Sequence, residues 1–119
     1  MKDPFWVGSS REDLSEFPED ARRRAGHQLP LVQIGLEPDD WKPMPSVGAG
    51  VFEIRLHTDV EHRVFYVAKF AQGIYVLHAF EKKTQRTRQA DIEIGKECLK
   101  AVLAERRDAV ARARKGRRE

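Results

Sequence analysis

"HRVFYVAKFAQGIYVLHAFEKKTQRT", residues 62–87, decides how the rest of the chain is read. Two runs rich in valine, phenylalanine and tyrosine flank "AQG", a tight hairpin turn. They read as antiparallel strands, because so short a connection allows no other pairing. The second strand ends oddly. Glu81, Lys82 and Lys83 stand directly on its tip, after His78. A strand that only fills a core has no need of two lysines there.

Upstream, "GVFEIRLH" alternates: Phe52, Ile54 and Leu56 point one way, and Glu53, Arg55 and His57 the other. "TDVE" joins it to residue 62 as a turn, so three antiparallel strands follow one another. Before them, "GSSREDLSEFPEDARRRAGHQLPLVQIG" reads as a helix pair over about residues 10–35. Ser9 and Glu12 fit a capping box, and Pro18 restarts the helix. Ala21, Ala25, Leu29 and Val32 form its buried stripe. Pro30 is expected to kink or end the second helix, Gly35 to stop it, and Glu37–Pro45 to be loop. A further strand fits Pro4–Val7, with Phe5 and Val7 on one side. After "TQRTRQ" comes a long helix with Ile92, Leu99, Val102, Leu103 and Val110 on its apolar face.

The expected fold is therefore α+β: an N-terminal helix pair packed on one face of a small twisted antiparallel sheet, plus a C-terminal helix. The 119 residues suffice for one domain with one core. Residues 1–104 form it, and 105–119 are expected to be a basic, frayed tail. No apolar run approaches the roughly 20 residues needed to cross a bilayer, and Met1–Ser10 does not read as a signal peptide. A cytoplasmic location without membrane association is the expectation. Cys98 is the only cysteine, which rules out an intramolecular disulfide or a zinc cluster built on cysteines, and it reads as a small buried residue.

The net charge of +3 is unevenly spread: −3 over residues 1–52, +3 over 53–88, −1 over 89–104 and +4 over 105–119. A polyanion would bind the central strands or the tail. By strand alternation, one sheet face collects Phe52, Ile54, Leu56, Val64, Tyr66, Ala68, Tyr75, Leu77 and Ala79. The other collects Glu53, Arg55, His57, Arg63, Phe65, Val67, Lys69, Val76, His78, Phe80 and Lys82. The second face is too apolar for a solvated back and too charged for a core. A cleft part-covered by the C-terminal helix suits both sets, and an RNA strand suits the cleft.

"GSSREDLSEFPEDAR", "GVFEIRLH", "HRVFYVAKF" and above all "YVLHAFEKKTQRT" resemble the phage-derived, HigB-like branch of the RelE/ParE toxin superfamily over about residues 4–103. The resemblance implies a RelE-like fold and a toxin of a type II toxin–antitoxin pair. The best-known such toxins cut mRNA in the ribosomal A site without a metal. The implied partners are mRNA on the ribosome and a cognate antitoxin, commonly a helix-turn-helix DNA-binding protein. It also implies that Arg55 lies in the nuclease cleft, that Arg63 contacts the scissile phosphate, and that Lys82, with Lys83, is the basic end of the last strand. Glu53 departs from the pattern, which has a lysine there. No tyrosine follows Tyr75 to serve as the base-stacking tyrosine of RelE.

Cleavage of this kind needs a base for the 2′-OH, cations for the phosphorane and an acid for the 5′-oxygen. It needs no metal and no cofactor. Arg55, Arg63 and Lys82 supply cations. Glu53 or His78 would be the base. His78, or a lysine of lowered pKa, would be the acid. Phe80 or Phe65 would stack on a base, and Lys69, Lys83 and Arg86 would hold the RNA. The bland alternative for Arg55 and Arg63 is cross-strand pairing with Glu53 or Glu61 at a surface. For His78 it is a packing histidine, and His27, His57 and His62 read as surface residues. Two other functions compete: a ParE-like gyrase inhibitor on the same fold, and a degenerate member that binds its antitoxin without cutting.

Overall fold

The computed structural model describes residues 1–117. Eight elements follow in order: β1 (Asp3–Trp6), α1 (Ser10–Ser15), α2 (Glu19–Gln33), β2 (Trp41–Pro43), β3 (Val51–His57), β4 (Glu61–Val67), β5 (Gly73–Glu81) and α3 (Gln89–Arg117). The strands form one sheet in the order β1-β5-β4-β3-β2. This is a RelE-like α+β fold. The three central strands are antiparallel neighbours, as their short turns require. The sheet as a whole is mixed, because β1 runs parallel to β5. The chain leaves β1 through both N-terminal helices before it enters β2 at the opposite edge. β2 itself lies in the stretch read as loop; three residues ending in proline carry no alternation to recognise. Pro4 and Pro43 sit on the two edge strands, where a missing N–H blunts pairing with another chain.

The helices cover both faces, the N-terminal pair one and α3 the other. Ala21, Ala25 and Val32 of α2, with Phe17, pack on Ile54, Leu56, Val64, Tyr66 and Val76. On the other face, Leu99 and Val102 of α3 pack with Met44 and Val47 on Val51, Phe65, Val67, Leu77 and Phe80. One residue decides three of these placements. Phe65 pairs with His78 and Tyr66 with Val76, which leaves Leu77 as a β-bulge. An extra residue reverses the alternation on its N-terminal side. Tyr75 and Leu77 therefore face α3, and Val76 faces α2, contrary to the simple alternation.

Local signals were only partly honoured. Pro18 is the N-cap of α2, but Pro30 lies inside that helix and does not end it. The end comes at Gly35, whose φ of 87° lets Leu36 N–H reach back to Leu31 O at 2.8 Å. The capping box at Ser9 does not form. Its hydroxyl donates to Asp13 Oδ2 at 2.7 Å, while the buried Ser10 donates to Val76 O and holds α1 beside β5. His62 is buried rather than exposed, packed on Phe17 with ring centroids 4.4 Å apart.

The segment expected to fray from residue 105 continues α3 to Arg117; residues 118–119 lie outside the described residues. Alanine and arginine are strong helix formers, and Asp108 stands four residues before Arg112. Val110, expected on the apolar face, is 51% exposed because α3 has by then passed the sheet. Cys98 is half-buried, and burial, with Glu97 beside it, raises its thiol pKa.

Gly95 sets the approach of α3. A Cβ there would meet Phe65 Cδ2 and Val47 Cγ1 at 2.9 Å, both in the core. Alanine would gain about 1 kcal/mol of helix propensity, but overpacking costs about 1–3 kcal/mol. Gly95→Ala is expected to lower the urea midpoint, and a raised midpoint would mean that α3 can shift outward freely.

Candidate functional site

Register brings charged side chains together on the α3 face. Lys42, Glu53, Phe65 and His78 lie directly opposite one another across β2, β3, β4 and β5. The next row is Arg55, Arg63 and Phe80, and beyond it stand His57 and Glu61, with Lys82 N–H bonded to Glu61 O. Arg55, Arg63 and Lys82 thus converge from three neighbouring strands.

Their environment is tighter than alternation implied. Glu53 is 0% exposed and Arg63 3%. Glu53 Oε1 stands 3.3 Å from Arg63 Nε and 3.7 Å from Arg55 Nε. None of these three buried atoms has a hydrogen bond, so the contacts are electrostatic. Glu53 Oε2 accepts only a long bond from Thr87 Oγ1 at 3.5 Å, which ties the 82–88 loop over it. Arg63 donates from Nη1 to His62 O at 3.0 Å and from Nη2 to Glu61 Oε1 at 3.3 Å. The cross-strand pairing with Glu53 and Glu61 therefore exists, but it is buried rather than at the surface. Glu53 is placed to neutralise two arginines and has no solvent access as a base.

Lys82 is different. It forms no ion pair among the described residues, and its ammonium is partly accessible. Burial, then the Arg63 charge, lower its pKa; Glu53 opposes this, and Lys42 and Arg55 add to it. Its proton is loosened by burial first and by neighbouring like charge second, which is what a lysine acid requires. Lys42 is a site cation that the sequence reading missed. It stands in the proline-dense segment, and only its register opposite Glu53 places it here.

His57 belongs to the rim. Its Nε2 meets Asp40 Oδ2, and its Nδ1 meets Glu61 Oε1 at 2.8 Å. Asp40 and then Glu61 raise its pKa above 6.5. Glu61 is lowered: its partial burial works upward, but the bonds from His57 and Arg63 outweigh that. A raised folded-state pKa means stabilisation that is complete below the unfolded value and lost as pH rises through the folded one. Wild-type protein is expected to lose stability from about pH 6 to about pH 8 more steeply than His57→Gln. Urea midpoints across that range check this, and equal slopes would refute it.

The remaining candidates scatter. His78 Nε2 is bonded to Asp91 Oδ1 at 2.8 Å, and Arg88 Nε donates to Asp91 Oδ2 at 3.4 Å. Phe80 stacks on His78 at 4.8 Å and is the cross-strand neighbour of Arg63, so it stands between the histidine and the cations. Asp91 carries no local sign of this role in the sequence. Phe65 is 0% exposed beneath α3 and is closed to a stacking base; Phe80 is nearly as buried. Lys83 and Arg86 are exposed on the 82–88 loop. Lys69 lies beyond the other end of β4, about 20 Å along the strand from Arg63, with its Nζ on Ala49 O at 3.2 Å. It does not join the cluster.

A RelE-like sheet with one cation-bearing face defines the class. Residues 12–100 match the family described as phage-derived protein Gp49-like (DUF891). The chain belongs to that family, which is part of the RelE superfamily of toxin–antitoxin toxins. A comparison with curated proteins finds no match. No helix among the described residues is long and apolar enough to cross a membrane.

Proposed function

We propose that this chain is the toxin of a type II toxin–antitoxin pair, of the HigB-like branch, and cleaves mRNA on the ribosome. The observation that carries the reading is the convergence of Arg55, Arg63, Lys82 and Lys42 around one buried carboxylate. Four cations against Glu53 and Glu61 leave net positive charge where a phosphate would lie. Arg55, half-buried, and Lys82 present that charge to solvent, and Arg63 backs them from beneath. The phosphorane would be met by Arg55 and Arg63, whose planar guanidinium suits two oxygens. Lys82, with its lowered pKa, would protonate the 5′-oxygen, and the 2′-OH proton would pass to solvent water as that hydroxyl attacks the phosphorus, since Glu53 is sealed from it. His78 is held by Asp91 behind Phe80, which favours Lys82 over it as the acid. A metal is not required by this scheme, since side chains supply each charge. The cognate antitoxin, a helix-turn-helix protein, would cover the same face, and the cytoplasm is where both would meet ribosomes.

A second reading has its own support. Arg63 already faces Glu53 and Glu61, so a member that binds its antitoxin without cutting is compatible with the same cluster. Inducing the chain alone and with its gene neighbour, then mapping transcripts by primer extension, separates these. Growth arrest with new 5′ ends inside codons is expected. Folded protein with no growth defect would establish the degenerate reading. Arrest with damaged DNA, inhibited supercoiling and intact transcripts would establish a gyrase inhibitor.

A further inference from the structure

Beyond the cation cluster, a second set of cations and rings lies at the opposite end of the sheet and along the free half of α3. Residues 107–116 are all exposed. Residues 105–117 hold six basic side chains against Glu105 and Asp108. Leu103, Arg106, Arg107, Val110, Ala111 and Arg114 recur at helical spacing and line one groove of about 500 Å³, with no carboxylate among them. Arg106 is anchored: its Cζ lies 3.8 Å above the Phe70 ring, and Nη1 donates to Gln72 Oε1 at 2.8 Å. From there the rings continue. Phe70 meets Tyr75 edge-on at 5.7 Å, and Tyr75 stacks on Phe5 at 5.2 Å. Phe5 is 40% exposed, and a neighbouring groove runs between it, Tyr75 and α3. Glu105 is the one carboxylate on that groove.

We infer that this strip, from Arg114 and Arg107 through Arg106 and Phe70 to Tyr75 and Phe5, is a second binding surface for single-stranded RNA. It would hold the substrate away from the point of cleavage. Arg106 and Arg107, with Arg114 two turns further along α3, can follow a phosphate backbone, and the exposed Phe5 ring can accept an unstacked base. The groove on α3 sets three arginines between Leu103, Val110 and Ala111, so its charge is wholly positive and suits a polyanion. The strip would contribute affinity rather than chemistry, because it is separated from Arg63 and Lys82 by the length of β4. Both Phe5 and the projecting half of α3 lie outside residues 12–100, the span shared with the family.

The inference rests on the RNA-cleaving reading, and the test keeps the two apart. Binding of a short 2′-O-methyl RNA, which lacks the reacting hydroxyl, is followed by fluorescence anisotropy across a salt series. In Arg107→Gln/Arg114→Gln, the slope of log affinity against log salt is expected to be shallower by about 1.4, two phosphates at about 0.7 each. Wild type would then lose about sevenfold more affinity than the variant between about 50 and 200 mM salt. Phe5→Ala is expected to weaken binding at least about fivefold with an unchanged slope, as for a lost stack. An unchanged slope in the arginine variant, with a shallower one in Lys82→Gln, would overturn the strip and leave RNA cleavage standing. So would an arginine variant that loses antitoxin capture but keeps its RNA slope. Wild type that binds no RNA at all would overturn both.

Discussion

Arg63→Ala is expected to destabilise the fold by about 3–5 kcal/mol, because it strands a buried carboxylate without its nearest cation. Glu53 is 0% exposed and would keep Arg55, at 3.7 Å, as its one ion-pair partner among the described residues. A domain of this size has about 5–15 kcal/mol in total. The melting temperature should therefore fall by roughly 10–20 °C, taking about 4 °C per kcal/mol. RNA cleavage and growth arrest should vanish as well, but that result alone would confuse unfolding with lost chemistry. A paired replacement resolves it. Glu53→Leu with Arg63→Met removes both charges at similar volume, and such swaps are often neutral or better. The double variant is expected to melt near wild type and still not cut RNA. If it cuts at the wild-type rate, Arg63 has a purely structural part and the phosphate lies elsewhere.

Lys82→Ala should behave in the opposite way. Its ammonium forms no ion pair among the described residues, and burial and Arg63 disfavour its charge in the fold. A folded-state pKa below 10.5 means that the unfolded chain binds the proton more readily. The charge therefore opposes folding at neutral pH, and this opposition is relieved as pH rises from the folded value toward the unfolded one. Removing it should leave stability within about 0.5 kcal/mol of wild type. Cleavage should nevertheless drop by about 10²–10⁴, the usual worth of a positioned acid. The wild-type rate should decline as pH rises through the lowered pKa, and Lys82→Ala should lack that limb. Lys82→Arg, charged at every accessible pH, should restore RNA binding without restoring the rate. A Lys82→Ala protein that cuts normally would remove this residue from the mechanism.

The bulge at Leu77 shows where reading the chain stopped being enough. Alternation along β5 is correct for His78, Ala79 and Phe80 but inverted for Tyr75, Val76 and Leu77, since one unpaired residue exchanges the two faces. The helix pair, the three central strands and the long C-terminal helix were legible, because each has its own period and its own stop signals. So was the convergence of Arg55, Arg63 and Lys82. Short turns force antiparallel neighbours, and a period of two then places those side chains on one face. That much is local chemistry, set within each segment and its nearest turn.

Depth and company were decided elsewhere. Nothing near Glu53 in the chain marks it for complete burial; Thr87, 34 residues later, reaches its carboxylate. Nothing near His78 marks Asp91 as its partner, nor near His62 the ring of Phe17, and Lys42 joins the cations only through pairing with β3. β1 finds its place beside β5 only after the rest of the sheet exists. The sequence by itself determined the helix pair, the three central strands and the C-terminal helix, and which way the strand side chains point outside the bulged part of β5. Only the tertiary structure decided which charges are buried and what faces them, because burial depends on elements that meet across tens of residues and no local period records those meetings.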